Sequence, residues 1–235
     1  MIAPDSQLVE ILRRTRTLLI DFDGPICSVF AGYPATVVAD ELRRLITAHG
    51  GEVELDLDTD EGPISVLRRV ANTGPAALVR TVADALRDAE VRAVETADPT
   101  PGAGDVLRAA QAAGRRVAVV SNNSREAVRR YLDRRGLSAL VDGISARYDG
   151  MDPRFMKPND HLIRRAIDAL SAEPATTTLV GDSAADAKAG TSAGVCIIGY
   201  ANKPGKRDSM NAAGAQVVVD SLPILQTALV ALDDV

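Results

Sequence analysis

Five short aliphatic runs, none alternating with polar residues, set the terms on which this chain can fold. They are Leu18–Ile20, Val117–Val120, Leu179–Val180, Val195–Ile198 and Val217–Val219. A strand with one wet face alternates apolar and polar residues, whereas a strand covered on both faces is apolar throughout. The runs therefore read as parallel strands buried between two layers. Helical apolar spacing lies between them, at Gly104–Ala113, Arg125–Arg135, Asp160–Leu170, Ala184–Ala193 and Pro223–Leu232. Strand and helix alternate from Thr100 onward, which predicts right-handed crossovers and a doubly wound α/β sheet.

Residues 29–98 break this rhythm. They carry three helical patterns, Pro34–His49, Ile64–Ala71 and Ala76–Ala97, bounded by joints rich in Gly and Pro. The expected organisation is an α/β core made of residues 1–28 and 99–235, with an all-helical insertion at 29–98. Hydrophobic residues make up 46% of the 235-residue chain, enough for a substantial core. Aromatic residues are only 3%, with no Trp, so that core must be aliphatic.

The residues just past the runs are more informative than the runs themselves. Leu18-Leu19-Ile20 ends in Asp21-Phe22-Asp23-Gly24, Val117–Val120 in Ser121-Asn122-Asn123, and Thr178-Leu179-Val180 in Gly181-Asp182-Ser183. In a parallel sheet all carboxyl ends share one edge, and ligands bind there at the topological switch point. Three distant segments thus deliver three carboxylates and a hydroxyl to one place. Clustered carboxylates repel one another unless a cation neutralises them. Donors that are all oxygen favour a hard ion such as Mg²⁺, which keeps several waters and leaves a carboxylate free to attack phosphorus.

These segments, together with Lys157-Pro158 and Gly181-Asp182-Ser183-Ala184-Ala185-Asp186, resemble the four ordered motifs of the haloacid-dehalogenase-like superfamily. The resemblance is to its phosphatase branch with a helical cap of the first class, the phosphoglycolate-phosphatase-like proteins. It implies a Rossmann-like core and a Mg²⁺-dependent phosphohydrolase that cleaves a small phosphomonoester through an aspartyl-phosphate. Asp21 would be the nucleophile and a metal ligand. Asp23 would protonate the leaving oxygen and then activate water, its backbone carbonyl touching the metal. Ser121, with the Asn122 amide, would hold a phosphoryl oxygen, and Lys157 would neutralise charge on the nucleophile and the transferring group. Asp182 would bind metal, and Asp186 would assist the metal shell or orient Lys157. The insertion would be a lid hinged near Ser28–Gly32 and Asp98–Gly104.

Asp23 separates the reaction classes of that superfamily, because members acting on carbon–halogen bonds lack a second Asp there. An alkoxide leaving group needs the proton it supplies. A phosphomutase, a phosphonate hydrolase and a silent phosphate-binding module are the alternatives. The phosphonate chemistry would need a cap lysine, and residues 29–98 contain none. Pro25 stands where the family commonly has Thr, which removes a backbone donor from the turn after the nucleophile.

Other patterns carry less. Asp56-Leu57-Asp58-Thr59-Asp60 opens like a calcium loop, but Glu61 and Leu67 occupy positions that need glycine and an acid. Cys27 and Cys196 are too few and too far apart for a disulfide framework, and Cys27 reads as a small buried residue. The net charge of −5, with basic residues scattered, argues against nucleic-acid and polybasic membrane surfaces. No apolar run approaches the ~20 residues of a membrane span, and Met1–Asp5 lacks the opening of a signal peptide. The expectation is a cytoplasmic enzyme acting on a small phosphorylated metabolite.

Overall fold

A computed structural model describes residues 5–50 and 62–232. In chain order its elements are α1 (Ser6–Arg14), β1 (Thr17–Ile20), β2 (Cys27–Ser28), α2 (Ala35–Ala48), α3 (Pro63–Thr73), α4 (Ala76–Ala93), β3 (Asp98–Pro99) and α5 (Ala103–Ala112). Next come β4 (Arg116–Ser124), α6 (Arg125–Arg134), β5 (Gly143–Arg147), α7 (His161–Ala169), β6 (Thr177–Gly181), α8 (Ala184–Ala193), β7 (Cys196–Tyr200), α9 (Lys206–Ala212), β8 (Val217–Val219) and α10 (Leu222–Val230). The calcium-loop-like stretch Asp56–Asp60 and residues Met1–Pro4 lie outside the described residues.

Six strands form one sheet in the order β5-β4-β1-β6-β7-β8, every neighbouring pair parallel. β1 is central, and its successive side chains enter opposite layers. Leu18 and Ile20 join a cluster with Leu8, Leu12, Val106, Leu107, Tyr131 and Leu225, while Leu19 joins one with Ala118, Val120, Leu162, Ile163 and Leu179. Both clusters are dry, which explains the unbroken apolar runs. The sole aromatic pair within the first cluster among the described residues is Phe22 with Tyr131, edge to face at 5.4 Å, in keeping with an aliphatic interior.

All five expected strands are present. The parallel sheet also contains β5, whose sequence Gly-Ile-Ser-Ala-Arg gives no continuous apolar signal. Its polar side chains are nonetheless buried, Ser145 donating to the Leu162 carbonyl at 2.6 Å and Arg147 pairing with Glu90. The helices α1 and α9 were likewise not among the expected patterns; α9 buries only Met210.

Between β2 and β3 the described chain is helical. α2, α3 and α4 pack on one another through Val38, Leu42, Ile46, Val66, Leu67, Val70, Val82 and Leu86. β2 and β3 pair antiparallel, Cys27 opposite Pro99 and Ser28 opposite Asp98, so the chain leaves and returns side by side.

Because Leu19 is completely buried at the centre of the sheet, Leu19→Ala is expected to lower stability by about 2–5 kcal/mol. Urea unfolding followed by circular dichroism measures it. A loss below about 1 kcal/mol would contradict the packing described for β1.

Candidate active site

The register of β1 places the site. Ile20 lies opposite Val119 on one side and Val180 on the other, so the next residues of all three strands emerge together at the carboxyl edge. Sequence order reverses direction across β1, since β4 and β5 lie to one side and β6 to β8 to the other. That is the crevice where open α/β sheets take ligands. The Asp21 amide donates to the Val180 carbonyl at 2.9 Å, which anchors the residue as the strand ends.

The turn after β1 is tight. Gly24 has φ +109°, a conformation L side chains rarely adopt. A Cβ on Gly24 would also collide with the Asp182 carboxylate, so this glycine makes room for it. The amides of Ile26 and Cys27 both donate to the Phe22 carbonyl at 3.1 Å, and the Gly24 amide donates to the Cys27 carbonyl at 2.7 Å. None of these bonds uses the amide that Pro25 lacks, so the proline fits the turn. Cys27 is fully buried, and burial raises its thiol far above the ordinary value, which makes it an inert packing residue.

Lys157 organises the acids. Its ammonium lies 2.8 Å from Asp21 Oδ1 and 2.6 Å from Asp186 Oδ1, and it donates to the Val120 carbonyl at 3.0 Å. Burial alone would strip its proton, but the two carboxylates outweigh burial and hold the lysine charged. Its loop is clamped by Asn122, whose side-chain oxygen accepts from the Lys157 amide at 2.8 Å and whose nitrogen donates to the Lys157 carbonyl at 3.0 Å. From α3, Arg68 donates to the same carbonyl at 2.6 Å.

Asp186 serves two ends. Its Oδ2 accepts from the Ser183 amide and hydroxyl at 3.1 and 2.6 Å, and Ser183 Oγ accepts from the Asp186 amide at 3.2 Å. This capping box starts α8 and leaves Oδ1 in ionic contact with Lys157 but without a directed hydrogen bond. Its ion-pair partner is thus Lys157 and not the nearby Lys188. Helix capping before α6 falls to Ser124, whose oxygen accepts from the Ala127 amide, so Ser121 itself is not the cap. Ser121 is buried, donates to Asn123 Oδ1 at 3.1 Å and accepts from the Asn123 amide at 3.1 Å.

Asp21, Asp182 and Asp186 each offer an oxygen within 4.8 Å of the others. This many acids in a buried place is electrostatically uncomfortable. Burial, then the Asp186 charge, push the Asp21 carboxyl up to about 8 against the pull of Lys157. Burial raises Asp182 as well, with Lys206 of α9 opposing it through a direct ion pair. A divalent cation would relieve this surplus of negative charge. The all-oxygen donor set suits a small hard one. Asp23 stands apart from that cluster. Its Oδ1 accepts from the Val29 amide at 3.0 Å, and burial pushes its carboxyl up to about 6.

All the residues anticipated for the site therefore converge on one edge of the sheet. Lys206, Arg68, Asn123, Glu90 and Arg147 also belong to the neighbourhood and were not anticipated. Lys206 lies 20 residues beyond Asp186 in a segment without apolar rhythm, and the other four act on backbone, on each other or, for Asn123, on the Ser121 hydroxyl.

An acid-crowned parallel sheet with a buried lysine defines an α/β protein whose site suits a divalent cation. A family model described as haloacid dehalogenase-like hydrolase matches residues 15–194. The plasmid-borne phosphoglycolate phosphatase of Cupriavidus necator is 31% identical over 225 residues, covering 90% of this chain and 92% of the relative. The crystal structure of a predicted phosphatase from Clostridium acetobutylicum superposes with a TM-score of 0.72 at 17% identity, over 92% of this chain and 99% of that one. That of CbbY from Rhodobacter sphaeroides in complex with phosphate gives 0.66 at 22%, over 88% and 95%. The chain belongs to the haloacid dehalogenase-like hydrolase family, in its phosphatase branch. Among the described residues no helix is long and apolar enough to cross a membrane.

Removing Lys157 strands two buried carboxylates. Lys157→Met is expected to destabilise the metal-free protein by about 3–5 kcal/mol, measured by denaturant unfolding in chelator; an unchanged midpoint would contradict the ion triad. Gly24→Ala is expected to push Asp182 aside. The rise in melting temperature on adding Mg²⁺ should shrink or vanish in that variant.

Proposed function

We propose that the protein is a Mg²⁺-dependent phosphomonoesterase that works through an aspartyl-phosphate on Asp21. The observation that carries this reading is the placement of Lys157 between Asp21 and Asp186 with Asp182 within reach. A buried ammonium against a carboxylate opposes the upward shift that burial and Asp186 impose on it, and fixes its direction for attack as a nucleophile. Asp21, Asp182 and the Asp23 backbone carbonyl would hold the ion, with Asp186 beside it. When bound, the ion supplies charge neutralisation for the phosphoryl oxygens and the nucleophile.

The chain's own groups then divide the work. Ser121 Oγ and the Asn122 amide hold phosphoryl oxygens, with Lys157 balancing their charge. An Asp21 oxygen attacks phosphorus as the bond from phosphorus to the ester oxygen breaks. Asp23 delivers its proton to that departing oxygen, and its upward-shifted carboxyl supports such a role. In the second half, Asp23 takes a proton from water while the water oxygen attacks phosphorus and the bond from phosphorus to the Asp21 oxygen breaks. Orthophosphate leaves and Asp21 is restored. Asp186, fixed by the start of α8, orients Lys157.

Residues 29–98 form the cap in this reading, set on a core of residues 1–28 and 99–235, and would exclude water and select the substrate. Arg68 is the cap side chain in direct contact with the Lys157 loop. The substrate is a small phosphorylated metabolite, and 2-phosphoglycolate is the first to try because of the Cupriavidus relative. We place the enzyme in the cytoplasm, with no nucleic acid among its partners.

Phosphate release from p-nitrophenyl phosphate and from a panel of phosphorylated metabolites tests the reading. Turnover is expected with Mg²⁺ and none with chelator. Asp21→Asn should abolish turnover while its circular dichroism spectrum stays unchanged. An active Asp21→Asn enzyme would remove Asp21 from its role, and a wild type silent on every phosphoester would overturn the whole assignment.

A further inference from the structure

Glu90 lies on α4 and has no accessible surface, yet it is a carboxylate among Ala89, Ala93 and other apolar neighbours. A buried charge is retained in a fold only with partners that satisfy it. Those partners, among the described residues, belong to the far side of the site. Oε1 accepts from Asn123 Nδ2 at 3.2 Å, and Oε2 accepts from the Ser124 amide at 2.8 Å and from Arg147 Nη2 at 2.6 Å. Arg147, itself buried at the end of β5, donates through Nε to the Asn122 carbonyl at 3.1 Å and through Nη1 to the Ala83 carbonyl of α4 at 3.2 Å.

These bonds fix more than position. A carboxylate can only accept, so Glu90 turns the Asn123 amide with its NH₂ inward and its oxygen toward Ser121. That oxygen accepts the Ser121 hydroxyl proton at 3.1 Å. The Ser121 Oγ that would meet a phosphoryl oxygen is therefore held in place by a residue of α4 through one intervening side chain. On the other flank, Arg147 fixes the carbonyl of Asn122, whose side chain clamps the Lys157 loop. Ser121, Asn122 and Lys157 thus share a single support.

We propose that Glu90, acting with Arg147, is a positioning residue for catalysis: it orients the Ser121–Ser124 turn through Asn123 and ties that turn to α4. This rests on the reading in which Ser121 holds the transferring phosphoryl group. It also assigns the C-terminal turns of α4 to the rigid frame of the site.

The test uses the full-length enzyme with Mg²⁺, p-nitrophenyl phosphate as substrate and orthovanadate as inhibitor. Vanadate takes up five-coordinate geometry at a phosphoryl site and so reports on alignment. Glu90→Gln keeps the shape but lets the Asn123 amide turn over. We expect kcat to fall and vanadate inhibition to weaken by about tenfold or more, the usual scale for losing an outer partner of a reacting group, with KM changed far less. A purely structural ion pair would lower the melting temperature and leave kcat, KM and vanadate inhibition at wild-type values. That result would overturn the proposal. Should Glu90→Gln fail to fold, Asn123→Ala breaks the same relay, and wild-type vanadate inhibition in it would overturn the proposal equally. Wild-type enzyme without turnover or vanadate inhibition would instead remove the phosphatase reading, and this inference with it.

Discussion

The ammonium of Lys157 is the interaction on which the rest of the site depends. It meets carboxylates from β1 and α8 and the last carbonyl of the apolar run in β4, so one point charge joins three segments of the sheet's edge. Without it, buried acids would repel one another in a low-dielectric place. With it, Asp21 is held in a fixed direction and Asp186 is free to start α8 with its other oxygen. Charge compensation, helix capping and the orientation of Asp21 are therefore not separable at this site.

The compensation is incomplete by design of the residue set. Asp21, Asp23, Asp182 and Asp186 face two lysines, Lys157 and Lys206, and the upward shifts of Asp21 and Asp182 come from burial first and from neighbouring carboxylates after it. A cation of charge two would balance the surplus of acids. Lys206 adds a complication for any entering ion, because it already holds an oxygen of Asp182. In the proposed reading, metal affinity would be linked to the position of α9 through that contact.

The fold and the acidic crown were legible because each depends on local sequence. Aliphatic runs mark doubly covered strands, and acids at their ends are conspicuous where solvated turns would not demand them. β5 escaped because Ser145 and Arg147 interrupt its apolar signal, and their partners, Leu162 and Glu90, lie far along the chain. Glu90 escaped for the complementary reason. On an amphipathic helix a charged residue reads as the wet face, and only the arrival of Asn123, Ser124 and Arg147 makes it an interior one. Lys157 was found through its place among ordered motifs, since nothing about an isolated lysine announces burial.

The central place of β1 has a consequence for how the molecule comes into being. β1 is made early, but its two neighbours, β4 and β6, are separated from it by the helical insertion and by a further α/β unit. A chain growing from its amino end must carry a fully apolar strand, with Asp21 at its tip, whose second neighbour is complete only when residues near Gly181 have emerged. Parallel pairing over such separations is slow, because distant ends must meet before any contact rewards them. Asp21 thus gains its partners Lys157 and Asp186 only late in synthesis, and in the proposed reading the chemistry waits for them.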